Sequence, residues 1–97
     1  MYLRVDNGIT PPERLDDFVA FVRDTVLPAV RAHRGYRSLT VSVDRSSGAV
    51  SVATAWEREE DREAADGAFA AVLRRAGEFG LRPVRIDLLE AALTDGV

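Results

Sequence analysis

The order of side-chain periodicities along this chain restricts its fold more than any single residue does. Tyr2 to about Asn7 alternates with a period of two, and Leu15, Phe18, Val19, Val22, Val26, Val30 and His33 then recur at helical spacing. Arg37 to Asp44 and Ala49 to Glu57 alternate again and flank the polar turn Arg45-Ser46-Ser47-Gly48, which reads as a hairpin. Ala65, Phe69, Val72, Leu73 and Ala76 form a second helical stripe, and Val84, Ile86 and Leu88 mark a last strand. The order is strand, helix, strand, strand, helix, strand.

Local signals set the expected boundaries. Thr10-Pro11-Pro12-Glu13 has the form of a capping box opening the first helix. Pro28 should kink or break that helix after Val26, because its ring clashes with the preceding turn. Gly35 fits a left-handed helix end, and Gly80 ends the second helix. The acidic run Glu57 to Glu63 suits a helix amino terminus, with Glu59, Glu60, Asp61 and Glu63 solvated.

This βαββαβ order is the plan of a ferredoxin-like α+β domain: a four-stranded antiparallel sheet, two helices on one face, and the fourth strand beside the first. One antiparallel register of the first strand against the fourth would set Arg4 opposite Asp87 and Asp6 opposite Arg85, as two cross-strand ion pairs. Alternation assigns Leu3, Val5 and Asn7 to the helix-facing side with Val52, Thr54 and Trp56. It assigns Arg4, Asp6, Thr40, Ser42, Ser51, Ala53, Arg85, Asp87 and Leu89 to the other.

Composition removes several kinds of chemistry. Ninety-seven residues, 46% hydrophobic, suffice for one domain over 1–97. All 13 basic residues are arginine, so a Schiff-base or phosphate-loop lysine is absent. No cysteine excludes a thiolate nucleophile, and one histidine cannot build a histidine-rich metal site within one chain. A net charge of -3 disfavours non-specific nucleic-acid binding. The first residues run directly into strand pattern, and no stretch approaches a membrane span, so the expectation is a cytoplasmic protein without a membrane partner.

Leu27-Pro28, Gly35-Tyr36, the hairpin, and Trp56-Glu57 before the second helix together give the chain a further likeness. It resembles the antibiotic biosynthesis monooxygenase-like family of the dimeric α+β barrel group over nearly its whole length. The resemblance implies a homodimer whose two sheets face each other, with a small aromatic molecule as a further partner. It also implies cofactor-independent oxidation of an aromatic polyketide or quinol, with no cofactor and no metal. The same scaffold serves haem-degrading relatives, which carry a ligating histidine on the second helix, and this chain has none there. The alternatives are a non-catalytic ligand-binding or interaction module, and an isomerase or cyclase in which His33 would serve as acid and base.

Such chemistry needs an apolar slot for a flat ring, donors for a developing oxyanion and a path for a proton. The candidate catalytic residues are Asn7, Trp56 and His33. Asn7 matches a first-strand asparagine of the relatives, with Asp6 competing for the position. Tyr36, Phe18 and Phe69 are the candidates for substrate binding. Each also has a plain structural reading: Trp56 and the phenylalanines as core, Asn7 as a local cap, His33 as a helix-end residue.

Overall fold

The computed structural model describes residues 1–96; Val97 lies outside the described residues. Strand β1 (Tyr2–Ile9) leads through a short 3-10 turn (Pro12–Arg14) into α1 (Leu15–Phe21). A π-helical turn (Val22–Val26) continues directly into α2 (Leu27–Arg31). Strands β2 (Tyr36–Val43) and β3 (Ala49–Trp56) form the hairpin. Helix α3 (Glu59–Leu73) and a 3-10 turn (Arg74–Phe79) then precede β4 (Arg82–Glu90). The sheet order is β2-β3-β1-β4 and all neighbours are antiparallel, as the ferredoxin-like plan requires. No helix among the described residues is long and apolar enough to cross a membrane.

The expected hairpin forms, with a bulge between Tyr36 and Ser38. Val43, Val41 and Leu39 stand opposite Val50, Val52 and Thr54, and Tyr36 stands opposite Trp56. Together with Leu15, Phe18, Val22, Val26, Val30, Ala65 and Phe69 this face encloses the core. Each large side chain buried there contributes roughly 1.5–3 kcal/mol through removal of apolar surface from water.

Strand β1 reverses the expected assignment of faces. Tyr2, Arg4 and Asp6 pair with Trp56, Thr54 and Val52, so these charged residues lie beneath the helices. Leu3, Val5 and Asn7 face the open side of the sheet. The inversion is chemically stable because Arg4 and Asp6 neutralise each other under the helices and Arg4 also bonds Asp66 of α3.

The β1–β4 register also differs from the expected one by a residue. Arg4 stands opposite Leu88 and Val5 opposite Asp87, with a bulge between Asn7 and Gly8. The charges pair along each strand instead, Arg4 with Asp6 and Arg85 with Asp87, both at 2.9 Å. The helices do not cover β4, so Val84, Ile86 and Leu88 remain 63, 55 and 53% exposed.

Three local expectations also change. Thr10 makes no capping bond; its Oγ1 is buried without a partner among the described residues, and its amide donates to Gly48 O instead. Pro28 does not break the first helix, because the preceding turn widens and the Leu27 amide reaches Val22 O. Asp61 is buried, not solvated. It packs where a side chain on Gly35, at φ +80°, would collide with it. Gly35 does hold the left-handed conformation expected of it, and Gly80, which ends the second helical stretch, holds one too, at φ +79°.

Candidate functional site

The inverted alternation of β1 gives the molecule its most distinctive site. A cavity of about 210 Å³ opens between the helices and the β1–β4 half of the sheet. Its apolar walls come from Phe18 of α1, Val50 and Val52 of β3, Leu73 of α3, and Leu81 and Ile86 near β4. Arg4 and Asp6 form its buried polar floor, 6 and 9% exposed.

Arg4 is held on three sides. Its Nε and Nη2 donate to Asp6 Oδ2 and Oδ1 at 2.9 and 3.1 Å. Its Nη1 donates to the Asp66 carboxylate at 3.1 Å, and its guanidinium lies 4.7 Å from the centre of the Phe69 ring. Burial disfavours the Arg4 charge, but bonds and attraction from Asp6 and Asp66 outweigh it, and its pKa rises above the ordinary arginine value. Two carboxylates therefore hold one guanidinium, the buried Asp6 and the partly exposed Asp66.

The sequence-derived candidates do not converge on one point. Phe18 lines the cavity, and Phe69 is buried beneath Arg4. Trp56 is 1% exposed; its Nε1 donates to Thr54 Oγ1 at 3.1 Å, and Tyr36 meets its ring edge-on at 6.0 Å. Asn7 borders the cavity, yet its amide turns to the open face and donates to Asp87 Oδ2 at 3.2 Å. His33 lies half-buried in the turn after α2, where its amide donates to Val30 O and its carbonyl accepts from Tyr36.

Sequence reasoning placed Arg4 and Asp6 on the other face and gave no role at a site to Asp66, Arg74, Leu81 or Ile86. A usable signal was present: Arg4 and Asp6 are two apart on a strand, so they share a face and can neutralise each other anywhere, including under a helix. Among the described residues, no group of three or more His, Cys, Asp or Glu side chains could hold a metal ion.

No protein-family model and no curated protein sequence matches the chain. Solved structures do. A candidate antibiotic biosynthesis monooxygenase from Deinococcus radiodurans superposes with a TM-score of 0.77 at 14% identity, covering 100% of this chain and 98% of that one. Rv0793 from Mycobacterium tuberculosis gives 0.71 at 18% identity over 99% and 98%. An asparagine-to-alanine variant of SnoaB, a cofactor-independent oxygenase from Streptomyces nogalater, gives 0.74 at 13% identity over 96% and 94%. The chain therefore has the fold of the antibiotic biosynthesis monooxygenase-like structures.

Proposed function

We propose that this protein is a homodimeric cytoplasmic monooxygenase that oxidises an electron-rich aromatic ring in the cavity without a cofactor. The observation that carries this reading is the cavity itself: apolar walls on a fold shared with a cofactor-independent oxygenase, closed by a polar floor. In such a reaction the substrate supplies the electrons. A phenol with a free para position and one molecule of oxygen give a quinone and one water. One oxygen atom enters the ring and the other leaves as water. Phe18, Val52 and Ile86 would hold the ring and exclude water, and the floor would meet its polar edge.

The second copy enters through the open sheet face. Strand β1 turns Leu3 and Val5 to that side while it buries Arg4 and Asp6, an arrangement that favours a covered face over a solvated one. Leu89, 49% exposed, extends the same apolar patch on β4.

The test is oxygen uptake with hydroxyanthrone and quinol substrates, with quinone formation followed by absorbance. Turnover should survive dialysis against a chelator. It should fall at least tenfold in Ala70→Trp, which places a bulky ring at an exposed position lining the cavity. Oxidation no faster than in buffer, or unchanged in Ala70→Trp, would sink the proposal.

A further inference from the structure

We infer that the cavity selects a hydroxylated aromatic acid, bound with its hydroxyl group inward and its carboxylate at the mouth. This inference rests on the cavity being the ligand site and deepens it to a substrate class. It comes from the contrast between a hydrogen-bond-accepting floor and, at the mouth, a cation unpaired among the described residues.

At the floor, Asp6 neutralises Arg4, and Asp66, which is partly exposed and outside the cavity lining, takes a further Arg4 bond. The Arg4 nitrogens already serve these carboxylates. Each Asp6 oxygen accepts one bond from Arg4 and has a lone pair left, which leaves acceptor capacity and little donor capacity for a ligand. A floor of this kind accepts a hydrogen bond from an O–H group.

The mouth has the opposite character. Arg74 lines it, is exposed, and has no ion-pair partner among the described residues. Arg85 also borders the cleft, but Asp87 holds its Nε at 2.9 Å. Arg74 is thus the cation available to an incoming carboxylate, which it can grip through two parallel N–H bonds. The walls between accept a flat ring. The volume of about 210 Å³ is below that of most drug-sized pockets and suits one or two fused rings.

The experiment is a fluorescence titration of the purified protein with 6-hydroxy-2-naphthoate, 6-methoxy-2-naphthoate, 2-naphthol and naphthalene-2,6-dicarboxylate, with methyl NMR of Leu81 and Ile86 to locate binding. The hydroxy acid should bind about tenfold more tightly than the methyl ether and than 2-naphthol, since each lacks one charge-assisted bond. Arg74→Gln should reduce its affinity to that of 2-naphthol and leave 2-naphthol unchanged. Equal affinities across the series, or a dicarboxylate that binds best, would overturn the inference while leaving the cavity as a ligand site. If no compound shifts the Leu81 or Ile86 methyls, the ligand-site reading fails and the inference with it.

Discussion

Arg4 and Asp6 stand two residues apart on β1 and share hydrogen bonds of 2.9 and 3.1 Å beneath the helices. Removing one partner leaves a buried charge without compensation, whereas removing both does not. Arg4→Leu should therefore cost about 3–5 kcal/mol in urea unfolding. The double variant Arg4→Leu with Asp6→Leu should recover much of that loss. Additive costs would show that the two side chains act independently.

Trp56 ties its indole to Thr54 and is sealed from the cavity by its own packing. Trp56→Phe should lower stability by about 1–3 kcal/mol, the range for a lost buried bond and a small void. Ligand affinity measured by titration should remain within twofold. A selective loss of turnover with unaltered unfolding would instead give the indole a chemical role.

Gly48 holds φ at +82° in the hairpin turn, where an added Cβ would collide with the Thr10 carbonyl oxygen. That oxygen belongs to backbone tied down by the Thr10 amide bond to Gly48 O at 2.8 Å, so it has little room to retreat. Gly48→Ala should cost about 1–3 kcal/mol by denaturant midpoint. An unchanged midpoint would mean that the turn is freer than its geometry indicates.

Asp44 is acidified by its neighbours. The Ser46 hydroxyl, and then the Ser46 amide, donate to its carboxylate at 2.8 and 3.0 Å and hold its pKa below the ordinary aspartate value. A lowered folded-state pKa contributes stability above the unfolded-state value, and that contribution disappears as pH falls through the folded-state value. Carboxyl NMR should place the Asp44 midpoint below the ordinary value. Ser46→Ala should move it upward.

Val5 marks the open face. If a second copy covers that face, Val5→Glu should convert the protein to a monomer in size-exclusion chromatography with light scattering, with each chain still folded by circular dichroism. A wild-type protein that is already monomeric would remove the dimer from the proposal.

The element order and the hairpin were legible because Leu39, Val41, Val43, Val50 and Val52 repeat with a period of two over stretches where burial and apolarity coincide. In β1 the two diverge. Leu3 and Val5 are the apolar residues, yet the neutralised Arg4–Asp6 pair takes the covered side, and partners such as Asp66 sit more than sixty positions away. Hydropathy registers each side chain singly and cannot register a charge cancelled by another, whether two positions away or sixty-two. The same blindness hid the cavity floor.

The wide turn at Val22–Val26 carries a lesson about insertions and deletions. On a regular α-helix, residues four apart creep around the axis by about 40° at each step, so Phe18, Val22, Val26 and Val30 would spiral away from the sheet. One slack turn takes up that creep, and all four remain buried. The helix thus stores a single residue of surplus length. A lineage that lost one codon there would close the slack into a regular α-turn and keep Val26 and Val30 on the buried face, so a single-residue deletion at this point should be tolerated better than one elsewhere in the helix.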